Sequence, residues 1–201
     1  IAEQAKELIT RANFFFYLVI QRQPTDPIAY HNWAITHEYW RNAELAIEGY
    51  QKVLELLQPD SATPLEYLAD FVLPFGYEIW SLEWEKTFYE WSQPEQQAQA
   101  RKALLSWYAH YRLGHLWVNK GEVEKALHSF ESALALRPDF PEPQNALIWV
   151  LLQFQREEET FATFYQAIAK QPFAISLWFD LIHLLIGRRK YAEALEFAQQ
   201  Y

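Results

Sequence analysis

Six histidines, 26 acidic and 17 basic side chains are the groups in this 201-residue chain that could do acid–base or metal chemistry. His31 and His37 stand six apart, and His110 and His115 five apart. Neither pair shares a helical face in the way that residues three or four apart would. No His-Glu-x-x-His arrangement occurs, so the histidines read as half-buried polar residues on helix faces rather than as metal ligands. Glu157, Glu158 and Glu159 fall where a helix is expected to begin, and negative charge there favours the positive end of the helix dipole. Arg188, Arg189 and Lys190 form the one basic cluster and read as a solvated turn. The chain has no cysteine, which removes thiol chemistry and any disulfide framework. It also lacks a glycine-rich phosphate loop, a nucleophile elbow and a kinase signature. No enzymatic constellation, metal or cofactor is therefore expected.

What remains is aromatic. Phe, Tyr and Trp make up 17% of the residues, and many stand in a recurring frame. Ala12/Phe16/Val19 precede Pro24, Ala46/Tyr50/Val53 precede Pro59, Ala126/Phe130/Ala133 precede Pro138, and Thr160/Phe164/Ala167 precede Pro172. The step from Ala12 to Ala46 and from Ala126 to Thr160 is 34 residues, and Ala194 lies one further step on. A helical period of this length means a solenoid, whose units bury surface by stacking on their neighbours. Each unit is two antiparallel helices. A small residue such as Gly114 or Ala126 lets two backbones approach, and an aromatic four residues along the same face fills the groove beside it. Proline then ends the second helix, because it lacks an amide donor and disfavours helical geometry in the residue before it.

On this reading helices run near Glu3–Gln23, Ile28–Trp40 and Ala43–Gln58. A degenerate pair follows near 62–73 and 78–92, carrying Trp80, Trp84, Phe88 and Trp91. From Ala46 to Ala126 is 80 residues, two periods plus 12, which places an insertion at 95–106. Rich in Gln, Ala, Lys and Leu, it is expected to extend the next helix to Glu95–Asn119. The extension either adjusts packing or projects toward a partner. Pairs near Pro141–Phe154 with Glu157–Lys170, and Ala174–Gly187 with Lys190–Tyr201, complete one all-α domain over 1–201. Its N-terminal repeats run to 94 and its regular repeats over 107–201.

The pattern resembles the tetratricopeptide repeat family. The match is best over Tyr108–Asp139, where Leu113, Gly114, Trp117, Gly121, Ala126, Phe130, Ala133 and Pro138 occupy the family's positions and His110 replaces its first tryptophan. Trp178, Leu181 and Ala194 match in the last repeat, as do Tyr30, Trp33, Ala34, Ala46, Tyr50 and Val53 early in the chain. The resemblance implies a right-handed superhelix of about five helix pairs, with the first helix of each pair lining a concave channel. Carried over residue by residue, that channel takes His31, Ile35, Glu38 and Tyr39, then Tyr108, Tyr111, His115 and Asn119. The later repeats add Asn145, Trp149, Leu152 and Gln153, then Phe179, His183 and Ile186. Family members that clamp an acidic chaperone tail use Lys and Arg at such positions, which this set lacks, so that mode is rejected. Nor is there a ladder of asparagines like that of the glycosyltransferase-associated branch, since Asn32 is matched by Arg112, Ala146 and Asp180.

An aromatic, amide-rich channel suits an extended or helical peptide with apolar anchors, although about half of these aromatics are expected to pack between repeats. The expected function is a non-enzymatic interaction scaffold for a protein or peptide. His31, Tyr39, Tyr108, Tyr111, His115, Asn145, Trp149, Phe179 and His183 are its expected contact residues. A formal charge of −9 argues against nucleic acid, since phosphate contact needs a basic face. The longest apolar runs, Phe14–Ile20 and Ala146–Leu152, have 7 residues each, against about 20 for a membrane span. The absence of cysteine favours a reducing compartment, so a cytoplasmic location is expected. The chain opens on Ile1 and on what reads as a second helix, as a fragment of a longer protein would. A rival expectation is thus the recognition arm of an enzyme such as a glycosyltransferase or methyltransferase. A third is self-association through terminal helices bearing residues such as Phe14–Tyr17.

Overall fold

The computed structural model describes residues 2–58, 94–138 and 141–200. All regular structure among these residues is α-helical: α1 (Ala2–Arg22), α2 (Pro27–Tyr39), α3 (Ala43–Leu56), α4 (Pro94–Asn119), α5 (Val123–Leu136), α6 (Pro141–Gln153), α7 (Glu157–Lys170), α8 (Ile175–Gly187) and α9 (Tyr191–Gln200). The degenerate pair expected near 62–73 and 78–92, with its tryptophans and Pro59, lies outside the described residues. The chain forms two compact units, Ile1–Asp139 and Phe140–Tyr201. In the first, α1 packs on α2, α2 on α3, α3 on α4 and α4 on α5. In the second, α6 packs on α7, α7 on α8 and α8 on α9.

Helix ends follow local chemistry. Asp26 caps α2, its carboxylate accepting from the amides of Ile28 at 2.8 Å and Ala29 at 3.3 Å, with Pro27 in the first turn where no amide donor is missed. The Asn42 side chain likewise accepts from the Leu45 amide at 3.3 Å. Pro24, Pro138 and Pro172 lie just beyond α1, α5 and α7, as their missing donor requires.

One turn recurs between the helices of each described hairpin. The amide of Asn42 donates to the carbonyl five residues back, His37, at 2.9 Å. Glu122 does the same to Trp117 at 3.0 Å, and Arg156 to Leu151 and Lys190 to Leu185 at 2.9 Å each. The residue before each donor is left-handed: Arg41 (φ 56°), Gly121 (75°), Gln155 (56°) and Arg189 (61°). This is the Schellman arrangement, which satisfies carbonyls that the helix end leaves free. Glycine supplies it at one position. At the other three an L side chain bears a cost of roughly 1 kcal/mol, so the turn is imposed by the packing of the helices it joins.

That packing is an interlock of small and large side chains. Ala46, Tyr50 and Val53 on α3, and Ala126, Phe130 and Ala133 on α5, are fully buried, and Thr160, Phe164 and Ala167 on α7 nearly so. The Phe130 ring lies over the backbone of Gly114, where a Cβ would stand 2.6 Å from ring carbons. At Gly49 a Cβ would meet Ala34 Cβ at 2.8 Å. The expected long helix is present as α4, 26 residues in length. The last part of its inserted segment is packing material: Leu104 and Leu105 are buried, and Lys102 Nζ donates to the Gln58 carbonyl at 3.3 Å.

These contacts can be weighed by substitution. Gly114→Ala should lower unfolding free energy by about 1–3 kcal/mol through overpacking against Phe130, although alanine is the better helix former by about 1 kcal/mol. Gln155→Gly and Arg189→Gly should each raise it by roughly 0.5–1 kcal/mol by relieving the left-handed turn. Urea unfolding followed by circular dichroism measures both, and the opposite sign for either would refute the corresponding contact.

Candidate functional site

In the first unit the positions expected to form a channel are tied together by a polar clasp. Glu38 on α2 and Arg112 on α4 form a two-pronged ion pair, Arg112 Nε donating to Oε1 at 3.0 Å and Nη2 to Oε2. Tyr50 on α3 donates its hydroxyl to the same carboxylate at 2.5 Å. Three helices thus meet on one carboxylate. Burial, followed by the neighbouring Glu38 charge, pushes the Tyr50 phenol well above its ordinary value of 10. His31 lies edge-on to Tyr108 at 5.0 Å and to Tyr50 at 5.9 Å. Burial, reinforced by Arg112, lowers its imidazole to about 3. His115 sits 4.7 Å from Tyr111 and 5.1 Å from Phe130, and burial with Arg112 holds it at about 4. His110 is also lowered to about 4, by burial and then by His128.

This geometry sorts the expected residues. His31 and Tyr108 are buried and offer a partner no surface, because the His31, Tyr50 and Tyr108 rings join α2, α3 and α4. Tyr111 and His115 are half-buried. Tyr111 stacks on Trp107, with centroids 5.6 Å apart and planes at 4°, and leans on Phe130. Tyr39, the last residue of α2, is exposed.

The second unit differs. On α6, Asn145, Trp149 and Gln153 face outward, while Ile148 packs into a core with Leu177, Leu181 and Leu185 of α8 and Phe161 and Phe164 of α7. On α8, Phe179, His183 and Ile186 face outward. Asn145 and Phe179, Trp149 and His183, and Leu152 and Ile186 are one period apart. The first two pairs are exposed on both helices, whereas Leu152 packs against the core and Ile186 is exposed. Trp149 is 48% exposed and Phe179 58%. Sequence reasoning missed Ile175 and Phe173, both exposed. Ile175 stands four residues before Phe179 on the same helical face, a spacing that could have revealed it. Trp178 Nε1 donates to the Pro172 carbonyl at 2.9 Å, pinning the turn that enters α8.

Among the described residues no group of three His, Cys, Asp or Glu side chains could hold a metal ion, and no helix is long and apolar enough to cross a membrane. The antiparallel hairpins and their common turn define a helical-repeat protein. Residues 107–140 match the family model described as the tetratricopeptide repeat, so the chain carries a tetratricopeptide repeat there, and Gly114 and Phe130 lie within it. No curated protein matches the chain. Several solved structures are similar to this chain. MamA shares 17% identity over 85% of this chain and 93% of its own, with a TM-score of 0.32. PilF of Pseudomonas aeruginosa shares 13% over 98% and 90%, with a TM-score of 0.35. A thermophilic tetratricopeptide-repeat protein of Thermus thermophilus shares 22% over 96% and 94%, with a TM-score of 0.30.

The depressed histidines make a pH dependence. In the unfolded chain an imidazole takes up its proton near 6.5, whereas His31, His110 and His115 stay neutral to about 3, 4 and 4 in the folded one. Between these limits the unfolded form binds more protons, so stability rises with pH across the window and falls on acidification. The urea midpoint should drop between pH 7 and 5, above the range where carboxylates dominate. His110→Gln with His115→Gln should flatten that slope. A midpoint constant over this range would contradict the burial assigned to these rings.

Proposed function

We propose that this chain is a non-enzymatic scaffold that holds another protein through the outward face of α6 and α8. The reading rests on one observation: Trp149, Phe179, Ile186 and Ile175 are exposed on first helices whose opposite faces are locked into a shared core. Rigid aromatic side chains give large contact area at low entropic cost, and such residues dominate binding energy at interfaces. Asn145 and His183 on the same faces offer directional hydrogen bonds. Neither helix places a Lys or Arg among these outward positions. The chemistry fits a segment that inserts apolar anchors, in helical or extended form, rather than one read by its charge. A tetratricopeptide repeat in the chain supports a protein partner. In the first unit, taken by itself, Tyr39 and the half-buried Tyr111 and His115 are separate candidate contacts.

Trp149→Ala with Phe179→Ala tests it. Immobilised wild-type chain should retain specific proteins from its source cells, identified by mass spectrometry, and the double variant should lose them by at least tenfold. Its helicity should be unchanged and its thermal midpoint within about 3 °C, as expected for partly exposed positions. Retention of the same proteins by the double variant would place the binding surface elsewhere.

A further inference from the structure

We propose that Asn13, Thr36 and His37 form an acid-sensitive latch, which holds α1 on α2 while the imidazole is neutral and lets α1 go when the ring takes up a proton. Helix α1 is lightly held. Of its described side chains only Ile20 is buried, with Ile9, Ala12, Asn13, Phe16 and Val19 half-buried along one stripe. The stripe is apolar except at Asn13, and among the described residues α1 hydrogen-bonds another helix through that side chain alone. The bonds have a fixed direction. The Thr36 hydroxyl has one proton and donates it to the Trp33 carbonyl at 2.7 Å, so it accepts from Asn13 Nδ2 at 2.7 Å. The other proton of that amide nitrogen is left for His37 Nε2, 3.1 Å away, which must offer a lone pair. His37 is therefore the tautomer that carries its proton on Nδ1.

A second proton on this ring would go to Nε2 and set donor against donor. Turning the Asn13 amide over would meet that proton only by drawing the Thr36 hydroxyl off the Trp33 carbonyl. The surroundings are also poor for a cation. His37 is 5% exposed, and its ring stands at 79° to Trp33 and 80° to Trp40, with centroids 4.4 and 5.6 Å away. Its Nδ1 is buried with no hydrogen-bond partner among the described residues. On α3, Glu48 favours the charged ring. On α2, Glu38 is taken up by Arg112 and Tyr50, and the exposed Arg41, four residues on, opposes the charge. On α1, the residues one turn from Asn13 are Ile9, Thr10, Phe16 and Tyr17, all uncharged at neutral pH. Burial outweighs Glu48, so the docked imidazole lies below its ordinary 6.5. With α1 lifted away the ring meets water and binds its proton near 6.5. The undocked form thus protonates first as pH falls, and docking weakens below that value.

Hydrogen exchange of the whole chain, read by mass spectrometry at about pH 7.5 and 5.5 and corrected for the intrinsic rate, separates α1 from the rest of its unit. The opening constant of α1 should rise several-fold at the lower pH, about tenfold being the limit for one proton, and beyond any change in α5. His37→Gln, uncharged at both pH values, should remove that difference. Asn13→Asp sets a carboxylate against Nε2 and should reverse its sign, α1 being held more tightly in acid. Nitrogen chemical shifts of the wild-type ring should show the proton on Nδ1 at about pH 7.5. An α1 whose protection follows α5 at both pH values, a response that persists in His37→Gln, or a neutral ring protonated on Nε2 would each overturn the latch.

Discussion

The contact between the Phe130 ring and the backbone of Gly114 sets the spacing of the hairpin that contains it. No Cβ fits between them, so α4 and α5 lie as close as an aromatic ring on bare backbone permits. Glycine within a helix costs about 1 kcal/mol relative to alanine, and the approach of the ring offsets that loss through buried area and dispersion. The same logic appears at Gly49 against Ala34, where two small residues let α2 and α3 touch.

Much of this was legible in the chain. The prolines after α1, α5 and α7 mark where helices stop because they remove a donor and restrict the preceding residue. The 34-residue step found the buried triads, and the surplus between Ala46 and Ala126 found the extended α4. Exposure was less legible. A repeat position says which way a side chain points, not what has grown up to meet it. His31 and Tyr108 point where a channel would lie, yet with Tyr50 they close on each other beneath the Glu38–Arg112 ion pair. No local pattern announces a contact between residues 74 apart in the chain. The three non-glycine left-handed turns were hidden for a related reason, since Arg41, Gln155 and Arg189 carry no turn signature of their own. Counting by the period from Gly121 would have found Gln155 and Arg189.

The two units put the same frame to different ends. In the first, the inner faces of the first helices are consumed by aromatic contacts and by one shared carboxylate, a half-buried charge made tolerable by two guanidinium bonds and a phenol. In the second, the core is apolar but for Thr160 and Gln144, and the outward face of α6 and α8 is left with Trp149 and Phe179. A rigid apolar core beneath exposed aromatics is a pre-ordered surface, so a partner docking there would lose little free energy in organising it.

The recurring turn has a kinetic meaning. The amides of Asn42, Glu122, Arg156 and Lys190 each reach back across a left-handed residue to a carbonyl in the preceding helix. Because the packing of the two helices holds each junction in this conformation, its amide is released when that packing is lost. Its opening requires the two helices to part. Deuterium uptake at these four amides would therefore report the separation of individual hairpins, giving one internal clock for each repeat.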